Sequence, residues 1–458
     1  MQTSSTNSKI VGQLNFNRNI PIRYDVDVFV VGGGPAGIAA AVMAARQGVS
    51  VFLAEGNFCF GGMGTAAGLP MFCSPTDGVN YTSAGFGSDV YDRLIAAGGT
   101  LPETRGKEVG SFFFAYNPET LKRVYDDLAQ DAGFAFSFGT QFLGVESTSG
   151  HVTHAICSAK SGLFAVKAKV FVDASGDGDL CARAGAPFEK GDAEGMMQPP
   201  TLLSLWCDID WARANQAGFG VWCQEKELPR AFRDKVFTNE DSHLPGMIPT
   251  GLHTAWGNIG HLFGTDGTDE VSVTQAVMRG RQLVLEYERF YQDYLVGYEN
   301  MKLLATGSVL GVRETRRIMG DYVLCLDDFK SRAVFPDEIG RFSYPVDLHA
   351  TKPGKEAFEA FSKEFTSLRY NSGENYGIPY RSLTPKNLEN VLVAGRCISC
   401  DRHIQGSVRV MPGCFITGQA VGTAAALAAS TNKTVRDIDI GELQSLLVAK
   451  GAWLPNRQ

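Results

Sequence analysis

The stretch "VVGGGPAGIAAAVMAARQGVSVFLAEG", Val30 to Gly56, decides the fold. A valine-rich run meets three glycines and a proline, passes through an alanine-rich segment, and returns as a second apolar run closed by a glutamate. Short apolar runs bounded by glycine are the mark of buried strands, and Pro35 suits a first helical position. The pattern predicts a strand over Tyr24 to Val31, a helix over Pro35 to Gln47 ended by Gly48, and a strand over Val49 to Leu53. Such a βαβ unit implies a parallel sheet covered on both faces.

Gly32, Gly34 and Gly37 stand at the G-x-G-x-x-G spacing, with Pro35 and Ala36 between the last two. The first glycine permits a tight strand-to-helix turn, the second lets backbone approach a pyrophosphate, and the third allows close helix packing. The helix start then offers unpaired N–H groups and a positive dipole end to phosphates. Glu55 follows Gly37 by eighteen residues, where a carboxylate accepts hydrogen bonds from adenosine ribose hydroxyls. Strand, glycines, helix, strand and acid in this order specify a dinucleotide site.

The chain has 458 residues, which predicts two or three domains. Hydrophobic residues at 44% and charged residues at 20% exclude global disorder and a coiled coil. A net charge of −7 argues against a nucleic-acid partner. Met1 to Arg18 is polar and shows no export signal, and ten cysteines without repeating spacing favour reduced thiols. A cytoplasmic location is the expectation. "CFITGQAVGTAAALAA", Cys414 to Ala429, is too short and too polar for a membrane span and reads as a buried helix.

Asn117 and Pro118 open a further helix, as N-cap and first helical residue. Phe134 to Lys169 reads as a β-meander, and "AKVFVDAS" returns to the parallel sheet. From Met196 the character changes to tryptophans, scattered histidines and acidic loops, and "NVLVAGRCIS", Asn390 to Ser399, resumes the strand-then-glycine pattern. The expected division is a polar tail over 1–23, a dinucleotide domain over 24–195 and 378–435, an inserted substrate domain over 196–377, and a C-terminal helix and tail over 436–458. The fold class is α/β: a Rossmann-like domain with a β-meander, interleaved with an inserted α+β domain.

Five further segments carry a family resemblance: "GNFCFGGMGTAAG", "VFVDASGDGDLCARAGAPFEKG", "GVRETRRIMGDY", "YGIPYRSLTPKNLENVLVAGRCIS" and "GSVRVMPGCFITGQAVGTAAALAA". From Asp25 to Ala429 the chain resembles the FAD-dependent oxidoreductases whose glutathione-reductase-type fold is similar to that of fumarate reductase and succinate dehydrogenase flavoproteins. The resemblance implies FAD as cofactor and a small-molecule substrate, and leaves a homo-oligomer open. It implies that Gly61, Gly62, Gly64 and Thr65 lie beside the diphosphate and flavin, and it adds Gly395, Arg396, Gly413 and Gly418 to the cofactor set. Ala174 and Gly176 fall at a strand's carboxyl end, the ligand edge of an open α/β sheet. The last helix, starting near Pro412 and Gly413, is aimed by the resemblance at the flavin's pyrimidine edge. Its Gly418 and Gly422 also stand at a close-packing spacing.

For the chemistry, "CDRHIQGSVR" offers His403 and Arg409 on an expected loop before the last helix, one to move a proton and one to stabilise reduced flavin. Arg313 is a candidate clamp for a carboxylate or phosphate, whereas Arg316 and Arg317 read as an ion-pair lattice with Glu314. Asp347 and His349 read as a surface pair before an oriented base. Cys397 and Cys400 read as buried inert thiols, and Asp177 and Asp179 lack the pattern of a calcium loop, so no metal is expected. The leading expectation is a dehydrogenase or oxidase that moves hydride from a small polar substrate to flavin. The alternatives are an NAD(P)H-using reductase or monooxygenase, and a flavin-containing lyase, isomerase or hydratase.

Overall fold

The computed structural model describes residues 12–100 and 113–457; residues 1–11 of the expected tail lie outside them. Strand β1 (Ile22–Val31) runs into helix α1 (Pro35–Ala45) and strand β2 (Val51–Ala54), so the βαβ unit forms with ends shifted by about two residues. Asn117 caps helix α2 (Pro118–Ala132) by accepting the Glu119 N–H at 2.8 Å. Strand β3 (Ala135–Ser137) then pairs parallel with β2. This corrects the sequence reading, which gave Phe134–Ser137 to the meander. The meander itself is β4 (Gln141–Thr148), β5 (His151–Ala159) and the first half of β6 (Gly162–Asp173).

Strand β6 is long enough to take two partners along one edge of the same sheet. From Ala165 to Asp173 it pairs parallel with β1. On the other side Gly162–Lys167 pairs with β5, while Phe171–Asp173 pairs with β7 (Val391–Val393), which returns from far along the chain. Asn390 pins the branch: its side chain bridges both polar groups of Val152 at 2.8 and 2.9 Å and the Lys169 carbonyl at 3.0 Å. Five parallel strands in the order β3–β2–β1–β6–β7 therefore deliver their carboxyl ends to one edge.

Small residues set the packing behind that edge. Helix α6 (Met411–Thr431) is buried from Met411 to Ala429 and lies against α1. Cβ atoms added at Gly418 and Gly422 would meet the carbonyl oxygens of Ala36 and Ala40 at 2.3 and 2.2 Å. Only glycine allows this approach. Although α6 has the length and composition to cross a membrane, 94% of its apolar window is buried inside the protein.

The inserted region has its own antiparallel sheet of Gly246–Pro249, Ala255–Asn258, Ser204–Cys207 and Lys302–Thr306. Its core, around Trp206, Tyr287, Phe290 and Tyr291, draws on the long helix α3 (Glu270–Tyr294). Leu324, Phe329, Ile339, Phe342 and Tyr376 join the core that holds α1 and α6.

Candidate active site

At the end of β1 the chain turns on Gly32, whose φ of +88° is the left-handed region that favours glycine. A Cβ on Gly37 would sit 1.8 Å from the Gly32 carbonyl, whereas one on Gly34 would meet nothing within 4 Å. Gly37 thus serves helix packing, and Gly34 faces open space at the start of α1. No side chain caps that helix start, so its first-turn amides have no intrahelical acceptor. Glu55 is buried there; Oε2 accepts the Gly33 N–H at 2.5 Å, and Oε1 accepts two N–H groups of Asn57 at 2.7 Å. An uncapped helix start, an open glycine and a buried carboxylate fit the diphosphate and ribose of a dinucleotide.

Three other segments converge on this point. Gly61 and Gly62 take positive φ and carry the loop past α1: a Cβ on Gly62 would lie 3.3 Å from the Gly34 Cα. Thr65 closes that loop by donating to the Phe60 carbonyl at 2.5 Å. A Cβ on Gly64 would meet the Tyr116 hydroxyl and Met411 Sδ, which joins the loop to the start of α6. Gly395, also at positive φ, donates its N–H to Thr417 of α6 at 3.1 Å and faces Ala36 of α1. Ala174 donates to the Val31 carbonyl, so Gly176 lies just past the sheet edge, covered by Arg396. The guanidinium of Arg396 pairs with Asp177 at 2.7 Å and keeps a buried Nε without a partner.

Two members of the expected cofactor set are also fixed by packing. Gly418 faces α1 backbone, as above, and a Cβ on Gly413 would strike the Val408 carbonyl at 2.4 Å. Asp173, which the sequence reading passed over, is fully buried and accepts from Cys181 N, Ser175 N and Ser175 Oγ at 2.7–3.1 Å. Burial raises its pKa against those donors. It holds the turn that carries Ala174 and Gly176.

Beyond the start of α6 lies a buried polar cluster. Arg409 follows the short helix α5 (Arg402–Val408), which replaces the loop expected there. Its Nη2 donates to the Asp347 carbonyl at 3.0 Å and lies 3.3 Å from Asp347 Oδ2, while its Nε is buried without a partner. Asp347 Oδ2 also accepts from the Tyr344 hydroxyl at 3.2 Å, and Oδ1 lies 3.4 Å from His349 Nε2. Arg313 is buried and donates to Pro199 O, Thr201 Oγ1 and Asn258 Oδ1 at 2.7–3.2 Å, with no ion pair among the described residues. Burial, and then the positive charge of Arg409, push its pKa down to about 10. Two cations, Arg313 and Arg409, therefore lie near one another, with the carboxylates of Asp347 and Asp241 acting on Arg313.

His403 is not part of this cluster. It is partly exposed on α5, with Nε2 3.2 Å from Glu364 on helix α4 (Lys355–Ser367). Six residues along a helix turn the side chain about 240°, away from the direction of Arg409. In its place stands His349, which is buried rather than a surface residue, and which meets His261 and His243. No spacing joins these three in sequence; the only signal was that histidines gather in the inserted region.

The remaining candidates are structural in their contacts. Arg317 pairs with Glu314 at 2.7 Å, Arg402 with the same Glu314 at 3.3 Å, and Arg316 with Asp179 at 2.9 Å. Cys397 and Cys400 are buried and reduced, with burial holding both thiols well above their ordinary range.

The sequence matches the profile of the family described as FAD dependent oxidoreductase over residues 27–447. The chain belongs to that family. It is an FAD-dependent oxidoreductase. No curated protein matches it. Solved structures similar to this flavoprotein include a geranylgeranyl bacteriochlorophyll reductase-like protein from Thermoplasma acidophilum, at 14% identity with TM-score 0.44. The match covers 94% of this chain and 84% of that one. They also include p-nitrophenol 4-monooxygenase from Pseudomonas putida, at 10% identity over 93% and 85% with TM-score 0.47. A myxobacterial chondrochloren halogenase matches at 13% identity over 93% and 78% with TM-score 0.48.

Proposed function

We propose that this flavoenzyme is a dehydrogenase or oxidase that takes hydride from a small hydroxylated or anionic substrate. The observation that carries the reading is Arg409, partly buried just before α6, whose Nε atom is buried and unpartnered, with Arg313 close by. A buried guanidinium donor left free is costly unless a ligand accepts from it. A substrate carboxylate or hydroxyl supplies that acceptor, and the planar fork of the guanidinium fixes its orientation.

Bound FAD supplies the two-electron acceptor. The protein's own part is to bind, orient and exclude water. Arg409 and Arg313 hold the substrate's negative or polar group. Asp347 positions Arg409 through two contacts, and its Oδ2 is the acceptor for the proton that leaves a substrate hydroxyl. The reading includes a cytoplasmic setting and a small molecule as the partner. His403, which faces Glu364, has no part in it.

The test is an anaerobic titration of the purified yellow protein with hydroxy acids, sugars, alcohols and unsaturated acids, followed by NADPH and NADH. Bleaching of the flavin band by a hydroxylated or anionic compound supports the proposal. Bleaching by a nicotinamide alone would transfer it to the reductase or monooxygenase class. No bleaching by either would move it to non-redox chemistry.

A further inference from the structure

His243, His261 and His349 come from three separate stretches of the inserted region, yet one nitrogen from each lies within 4.8 Å of the other two. His261 and His349 are both about 6% exposed, and His243 stacks on His261 with ring centroids 5.1 Å apart. Each of the two buried rings has its outer nitrogen beside a carboxylate. His261 Nδ1 is 3.0 Å from Asp241 Oδ2, and His349 Nε2 is 3.4 Å from Asp347 Oδ1. Their inner nitrogens, His261 Nε2 and His349 Nδ1, face each other at 2.9 Å.

That arrangement has a chemical consequence. A neutral imidazole carries one N–H, and if both rings turn it toward their carboxylates, two lone pairs meet at the centre. A cation between the rings satisfies both lone pairs at once. Carboxylates on the outer nitrogens are also the usual means by which metal-binding histidines are oriented and made more basic. We infer that His243, His261 and His349 bind one divalent transition-metal ion of the zinc type, oriented by Asp241 and Asp347.

The dimensions and surroundings agree. Zinc holds imidazole nitrogens at about 2.0–2.1 Å, so tetrahedral ligands lie about 3.3 Å apart. The pair now at 2.9 Å opens by about 0.4 Å to admit the ion. Asp241 and Asp347 offset the nearby charges of Arg313 and Arg409, which bear on His349. Three imidazoles with no thiolate suit zinc, nickel, copper or ferrous iron and not calcium or magnesium. The pocket at the cluster is walled by Lys352, Phe358 and Phe361 and has room for about one water, the fourth ligand of an open zinc site. The expectation of no metal came from testing cysteine and aspartate motifs, which are not the groups that assemble here.

The inference does not depend on the flavin reaction, and its test uses no substrate. FAD-loaded protein is stripped with a chelator, dialysed and titrated with zinc chloride against a chromophoric indicator, with bound metal counted by mass spectrometry. The expected result is one zinc per chain. His243→Ala with His349→Ala should abolish that uptake at equal flavin content, and Asp241→Asn should weaken it about 10- to 100-fold. Should the double variant lose its flavin, cobalt-loaded wild type is compared with zinc-loaded wild type instead, and the visible bands of tetrahedral cobalt must appear. Failure to take up zinc, uptake that persists in the folded double variant, or the absence of cobalt bands overturns the site.

Discussion

Gly422→Ala is a substitution for which two physical effects oppose each other. Alanine is the better helix former, by about 1 kcal/mol in a helix interior. At Gly422, however, the new Cβ would lie 2.2 Å from the Ala40 carbonyl oxygen and 2.8 Å from two further backbone atoms of α1. That is about 0.8 Å inside the 3.0 Å that real Cβ contacts respect. No side chain can rotate away, because the obstacle is backbone, so α1 and α6 must separate. Overpacking of this kind costs typically 1–3 kcal/mol, and a rigid obstacle puts it at the upper end. The net is a loss of about 2 kcal/mol, which lowers the melting temperature of a chain this long by about 2–4 °C. Scanning calorimetry of FAD-loaded protein reads it directly. A melting temperature that is unchanged or raised would refute the reasoning, since helix propensity alone predicts a rise. Gly418→Ala, whose Cβ meets Ala36 in the first turn of α1, should destabilise similarly and also weaken FAD binding.

Glu55→Gln removes the negative acceptor beside the Gly33 amide and should weaken FAD binding about 10-fold by equilibrium dialysis, the loss of a charge-assisted bond of roughly 1.5 kcal/mol. In the native protein a thiol reagent should react with no more than Cys59, Cys207, Cys223 and Cys325. Cys397 and Cys400 should react only after unfolding, because both are buried with raised thiol pKa values.

The βαβ unit, the Asn117 cap and the buried last helix were legible because each is local: an apolar period, a capping residue or a glycine at fixed spacing announces it. The switch of Ala135–Ser137 into the parallel sheet was not, because a three-residue strand reveals no partner. The nucleotide end of the site was equally local, running from Gly32 to Glu55. The substrate end was hidden by distance. Arg313, Asp347, His349 and Arg409 are brought together by tertiary packing, and the histidine nearest Arg409 in sequence, His403, is turned outward to Glu364. Sequence proximity was misleading there because a helix, not a loop, separates the two residues.

The central claim is that the free donor of Arg409 grips the substrate without helping to hold FAD. The direct measurement is stopped-flow anaerobic flavin reduction in wild type and Arg409→Ala, at matched flavin content, with the compound that bleaches wild type. The account predicts undiminished FAD occupancy with reduction slowed roughly 30- to 1,000-fold, corresponding to about 2–4 kcal/mol for a buried charged contact. Reduction at the wild-type rate, or loss of FAD from the variant, would contradict it.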